Sequence, residues 1–92
     1  MAQAMRRKVS DQVLVQLIEA DVESGFGLID EAKAHCIQGD GQFSSRVLQE
    51  AEKIVTDIEQ RLAQLGDSEA VPFFPLVAEL REQIAAVARE RP

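Results

Sequence analysis

The sequence predicts an all-α fold, an antiparallel bundle of three helices, and three observations support this prediction. Apolar residues recur at spacings of three and four along three segments, the periodicity of helices that bury one face. Turns that contain glycine and aspartate separate these segments. The chain has 92 residues, of which 46% are hydrophobic and 28% charged, so it can form one core but not two.

The first helix is predicted over residues 10–38, with Ser10 or Asp11 capping its first turn through a side-chain oxygen. Gly25 and Gly27 each weaken a helix by about 1 kcal/mol relative to alanine. The segment Gly25 to Gly27 is therefore a candidate kink, although a glycine on the inner face would equally admit a close neighbouring helix. The expected inner face consists of Leu14, Ile18, Val22, Gly25, Ile29, Ala32 and Cys36.

The second helix is predicted over residues 43–65. The turn at residues 39–42 ends the first helix, because a glycine such as Gly39 adopts the left-handed conformation without steric cost. Gly66-Asp67-Ser68 is expected to stop the second helix after residue 65. Its expected inner face consists of Val47, Ala51, Ile54, Ile58, Leu62 and Leu65.

The third helix is predicted over residues 72–90. Pro72 and Pro75 are compatible with a helix only near its start, where a missing amide hydrogen costs nothing. Its expected inner face consists of Phe73, Val77, Leu80, Ile84 and Val87. This heptad-like spacing suits packing along a bundle.

Charge divides the chain into a basic arm over residues 1–9, expected to be disordered, and one helical domain over residues 10–92. Three of the ten basic residues are Arg6, Arg7 and Lys8, and all sixteen acidic residues follow them in a chain of net charge −6. Such an acidic body repels a phosphate backbone, and without Trp or Tyr the chain offers few stacking platforms for bases. We therefore expect no nucleic-acid binding.

The sequence also predicts a cytoplasmic protein without membrane contact. Cys36 is the single cysteine, so no disulfide can form within the chain, as in reducing compartments. After MAQAMRRK the polar residues Ser10, Asp11 and Gln12 interrupt any apolar run, which is unlike a secretory signal. No stretch approaches the roughly 18 apolar residues that a membrane span needs.

The predicted helix lengths leave part of helix 1 without a partner. Counted back from the turn, helix 2 covers helix 1 only to about residue 16. Val9, Val13 and Leu14 then require another cover. Either Phe73 and Phe74 fold over them, or a second copy of the chain covers them in a homodimer.

Around the first turn the residues resemble those of a tetratricopeptide-type helical hairpin. The similarity covers about residues 28–56, through Ala32, His35, Gly39-Asp40, Ser44, Leu48 and Ala51. It departs at Leu28, where Trp is usual, and at Thr56, where Pro is usual. The layout is similar to the three-helix microtubule-interacting-and-trafficking domain, and that resemblance implies a module that accepts an amphipathic helix in a groove between two of its helices.

Two residue pairs are candidates for chemical sites, but neither predicts a catalytic, cofactor or metal site. Glu31 and His35 are four residues apart and could share a helix face, but His35 is the single histidine of the chain. An ordinary helix-surface pair is the favoured interpretation. Cys36 follows His35 directly, so the two side chains point about 100° apart on a helix, which disfavours a nucleophilic dyad.

The leading functional hypothesis is a non-enzymatic protein–protein interaction or scaffold module, which binds a partner helix or a second copy through apolar helix faces. Residues 11–31 contain six acidic residues and no basic one, which suggests a solvated face or a steering surface for a basic partner. The expected contact residues are Val13, Leu14 and Leu17, and Glu19 and Glu23 are the expected steering charges. The alternatives are a metal-dependent all-α enzyme, or a regulatory subunit, with a site assembled across a homodimer.

Overall fold

The computed structural model describes the backbone of residues 2–90 and the side chains of residues 11–90. Within these residues the elements are α1 (Ala2–Ile37), α2 (Gly41–Leu62), α3 (Asp67–Ala70), a 3-10 turn (Val71–Phe73) and α4 (Phe74–Glu90). The three long helices α1, α2 and α4 pack against one another as a bundle. The predicted all-α three-helix bundle is therefore confirmed.

Helix α1 is longer than predicted. It begins at Ala2 rather than near residue 10, so Ser10 and Asp11 lie inside the helix and do not cap it. Most of the preceding residues are good helix formers, such as Ala, Gln, Met, Arg and Lys, and none is a breaker. The predicted disordered arm over residues 1–9 falls outside the part of the chain whose side chains the structure describes.

Helix α1 is not broken at the predicted weak segment, since it continues through Gly25 and Gly27. Gly25 is buried, and a Cβ atom there would lie 3.1 Å from Leu80 Cδ2 and 3.7 Å from Ile54 Cγ2. Leu80 belongs to α4 and Ile54 to α2, so Gly25 lets both helices approach α1 closely. Packing from two sides compensates for the weak helix propensity at this position.

The turn between α1 and α2 lies at residues 38–40 instead of the predicted 39–42. Gly39 has φ of 84°, the left-handed conformation expected after a helix. The Asp40 carboxylate accepts a hydrogen bond from the Phe43 amide at 3.1 Å and thereby caps α2. Because this cap lies at residue 40, α2 begins at Gly41, two residues earlier than predicted.

The connection from α2 to α4 is more structured than predicted. Helix α2 ends at Leu62 rather than Leu65, and the short helix α3 and the 3-10 turn fill residues 67–73. Pro72 lies within the 3-10 turn and Pro75 is the second residue of α4, where its missing amide hydrogen costs nothing. Helix α4 therefore begins at Phe74 instead of residue 72.

The core lies along the common axis of α1, α2 and α4. Helix α2 runs antiparallel to α1, because Arg61 pairs with Asp21 and Ser44 bonds to Ala32. Helix α4 runs parallel to α1, because Leu80 lies beside Gly25 and the Glu90 carbonyl oxygen lies beside Cys36. The core residues include Ile18, Val22, Ile29, Val47, Leu48, Val55, Ile58, Leu62, Leu65, Phe73, Val77, Leu80, Ile84 and Val87. Among the described residues, no helix is long and apolar enough to cross a membrane.

Candidate interaction groove

An open groove of about 550 Å³ runs between α2 and α4 at the end of the bundle where α4 begins. Its lining is mostly apolar, with a few charged groups at the edges. The lining residues are Glu59, Leu62, Ala63, Leu65, Asp67, Ala70, Phe74, Val77, Ala78 and Arg81. We call this feature the α2–α4 groove.

The α2–α4 groove exists because small side chains face each other across two packed helices. Leu62 and Val77 are buried and join the main core. Ala63 on the α2 side and Ala78 on α4 are exposed, and their single methyl groups leave the space above that core open. Phe74 is 53% exposed, so the groove has an aromatic side chain accessible to a partner.

Charged groups lie along the rim of the α2–α4 groove. The Arg81 guanidinium on α4 donates to the Glu59 carboxylate on α2, and the pair links the two helices. Both partners are largely exposed, so the pair contributes little to stability. With Asp67 the rim carries two carboxylates and one guanidinium, which gives it a net negative charge.

Two further hollows lie on the surface of the described residues, and each involves only one helix and its cap. One is lined by Gln49, Glu52, Lys53, Thr56 and Asp57 of α2. The other measures about 150 Å³ and is lined by Asp40, Gln42, Phe43 and Arg46. Neither combines apolar surface from two helices, as the α2–α4 groove does.

The partner-binding residues expected from the sequence lie on α1 and do not line the α2–α4 groove. Val13 and Leu17 are 47% and 42% exposed, so their apolar side chains are accessible. Leu14 is half-buried and packs against the core. Glu19 and Glu23 are exposed, as steering charges must be.

One prediction placed both Phe73 and Phe74 over the N-terminal part of α1. The two side chains do not both lie there. Phe73 is buried in the core, whereas Phe74 is exposed and lines the α2–α4 groove. The two residues are adjacent in sequence and therefore point in different directions about a helical axis. Val13 and Leu17 accordingly keep much of their exposure.

The sequence reasoning missed the α2–α4 groove itself. The sequence feature that could have indicated the groove is the pair Ala63 and Ala78. These two small residues lie among larger ones at the edges of two neighbouring helix faces. Alanine is also a common surface residue of helices, so this signal becomes specific only when the pairing of α2 with α4 is known. The exposed aromatic Phe74 completes the groove.

Glu31 and His35 form a loose surface pair. His35 Nε2 lies 3.9 Å from Glu31 Oε1, and the His35 ring packs against Phe43 with their centroids 4.3 Å apart. Cys36 is half-buried, and its Sγ lies 3.6 Å from the Glu90 carbonyl oxygen. Among the described residues, no group of three or more His, Cys, Asp or Glu side chains could hold a metal ion.

The residues that suggested a tetratricopeptide-like hairpin are closely packed. Ala32 and Ser44 are fully buried at the crossing of α1 and α2, and Ala51 is fully buried further along α2. Small residues at a close helix crossing are also a general property of helix pairs, so the family assignment stays a prediction. Searches of protein-family models, curated proteins and solved structures found no match to this chain.

Proposed function

We propose that this chain is a helical interaction module that binds an amphipathic helix of a partner in the α2–α4 groove. The single observation that carries this proposal is the groove itself: apolar surface from two packed helices, open to solvent, with an exposed aromatic side chain at Phe74. Binding a helix in such a groove is a recurring mode of peptide recognition.

The size and chemistry of the groove suit a helix better than a small molecule. Its volume of about 550 Å³ is open rather than enclosed, and a site for a small molecule usually surrounds most of the ligand surface. A helix instead presents a row of side chains at spacings of three and four, which can follow the channel between two helices. Leu62, Val77 and Phe74 supply apolar contacts for such a row.

Charge complementarity favours a partner helix with basic residues beside its apolar face. The rim of the groove has one carboxylate in excess, because Arg81 pairs with Glu59 and Asp67 adds a second acidic group, and the whole chain has a net charge of −6. Exposed acidic residues such as Glu19 and Glu23 extend this negative field over α1. Long-range attraction of this kind raises association rates and disfavours acidic partners.

The binding site can be mapped by NMR with a defined probe. The probe is an amphipathic peptide of about 18 residues, long enough to form a helix on contact, with leucine on one face and lysine on the other. We expect amide shifts of the ¹⁵N-labelled full chain to concentrate at Ala63, Phe74 and Ala78. A matched peptide with glutamate in place of lysine should bind more weakly because it meets a negative rim.

Ala78→Lys provides the variant that tests the location. The longer, positive side chain enters the groove and opposes a basic partner, so the shifts should be lost. Ala34→Lys introduces the same change at an exposed position of α1 outside the groove and should leave them intact. Shifts that map elsewhere, or that persist in Ala78→Lys, would refute binding in the α2–α4 groove.

A further inference from the structure

The exposed apolar side chains of the described residues gather at one end of the bundle. Seven large apolar residues are substantially exposed, and Ile37 and Phe43 lie at the α1–α2 turn. The other five lie at the opposite end, on α1, the 3-10 turn and the start of α4: Val13, Leu17, Val71, Phe74 and Leu76. The α2–α4 groove opens at this same end, because Phe74 begins α4.

Helix α1 extends beyond its partners at this end. Arg61, next to the last residue of α2, pairs with Asp21 of α1, so α2 stops about opposite residue 20. The segment from Ala2 to Leu17 therefore lies beyond the end of α2, and we call it the extension; it corresponds to about 22 Å of helix at 1.5 Å per residue. The longest dimension of the structure is 57 Å, close to the roughly 54 Å of a 36-residue helix.

The sequence of this extension matches the partner that the groove requires. Met5, Val9, Val13 and Leu17 recur at every fourth position, as in a helix with an apolar stripe. Arg6, Arg7 and Lys8 supply positive charge in the same segment. All sixteen acidic residues of the chain lie after residue 10, so the extension and the bundle carry opposite charge.

We infer that the occupant of the α2–α4 groove is the N-terminal part of α1 from a second copy of this chain. The inference rests on the proposed function and names its partner. Each copy inserts its extension into the groove of the other, so that two identical contacts form about a two-fold axis. An extension of net positive charge then lies along a rim of net negative charge, and the exposed apolar residues of both copies come together.

The dimensions permit this reciprocal arrangement. The groove follows α4 from Phe74 to Arg81, about 10 Å along the helix axis. The extension of about 22 Å is long enough to span it. Groove and extension lie at the same end of the molecule, so two bundles that meet end to end place each extension beside the opposite groove.

A complementation experiment tests the reciprocal contact. Val13→Asp/Leu17→Asp disables the extension at two exposed positions, and Ala78→Lys disables the groove while leaving the core unchanged. Sedimentation should show that wild type forms a dimer. Each variant alone should dimerise at least about tenfold more weakly, because every contact then pairs an intact surface with a disabled extension or a disabled groove. Equal mixing of the two variants should restore a dimer, since one extension and one groove remain intact.

Several results would overturn the inference. Wild type that stays monomeric at all concentrations, while still binding the leucine–lysine peptide, would remove the second copy as occupant and leave the proposed function standing. A dimer that resists Ala78→Lys, or variants that fail to complement, would place self-association elsewhere. Ala34→Lys should dimerise like wild type, and far-UV circular dichroism should show that every variant remains helical.

Discussion

At the crossing of α1 and α2, the Ser44 hydroxyl donates a hydrogen bond to the Ala32 carbonyl oxygen at 2.9 Å. Both residues are fully buried, so the two backbones approach with little side-chain volume between them. A serine is small enough for this position and also satisfies its own hydroxyl, since an unpaired hydroxyl in a core is costly. Both the small size of the Ser44 side chain and its hydrogen bond therefore stabilise the crossing of α1 and α2.

Substitutions at Ser44 should separate these two contributions. We expect Ser44→Ala to lower the free energy of unfolding by about 1 kcal/mol through loss of the hydrogen bond. Ser44→Leu should cost about 3 kcal/mol, because the larger side chain also forces the helices apart. Urea unfolding followed by circular dichroism measures both. Ser24→Ala, at an exposed position of α1, is the control for the change in helix propensity, and equal costs for Ala and Leu at residue 44 would contradict tight packing.

For single residues, some structural roles could be predicted from the sequence and others could not. The left-handed conformation of Gly39 could be predicted, because it is a local property of a turn. The cap at Asp40 was missed, and the start of α2 was placed two residues too late as a result. The roles of Phe73 and Phe74 could not be distinguished. Which of two adjacent aromatic residues is buried depends on the exact start of α4, and a helix start is uncertain by a residue or two from sequence alone.

Helix α1 contains two interior glycines of low helix propensity, and packing against other helices differs between them. It contains Gly25 and Gly27, yet only the first lies against other helices. A Cβ atom at Gly25 would approach Leu80 to 3.1 Å, whereas one at Gly27 would meet no atom within 4 Å. The two glycines therefore form a matched pair, in which the helix propensity changes equally and only the packing differs.

Alanine substitutions at this pair should have different effects. We expect Gly27→Ala to raise the free energy of unfolding by about 0.5–1 kcal/mol, because alanine is the better helix former. Gly25→Ala should gain less, since its methyl group crowds Leu80, and Gly25→Val should destabilise the protein. Thermal unfolding of the three variants tests this order. A gain at Gly25 equal to that at Gly27 would show that the approach of α4 to α1 is not close.

The boundaries of the elements were harder to predict than their number. Three long apolar periodicities specify three helices, since each helix must bury one face. The start of α1 was wrong because Ser10 and Asp11 look like caps, while nothing in the preceding residues prevents a helix. The short helix α3 and the 3-10 turn were missed, because seven residues are too few to show a periodic pattern.

For the whole molecule, the arrangement of the helices creates the α2–α4 groove, which no single segment contains. The acidic character of the chain and the unequal helix lengths were readable from sequence, and they led to α1 as the contact surface. The α2–α4 groove could not be predicted from the sequence, because it requires Ala63 and Ala78 to face each other across two elements. If the proposed dimer forms, it joins both surfaces, since the extension of α1 would then occupy the groove of a second copy.

Binding of an amphipathic helix in the α2–α4 groove is tested most directly by fluorescence anisotropy. The quantity measured is the affinity of a fluorescently labelled leucine–lysine peptide for the full chain. We expect Ala78→Lys to weaken binding at least about tenfold, because it places bulk and positive charge in the groove. The control Ala34→Lys, which makes the same change in net charge, should bind like wild type. Equal affinities for all three proteins would contradict recognition at the α2–α4 groove.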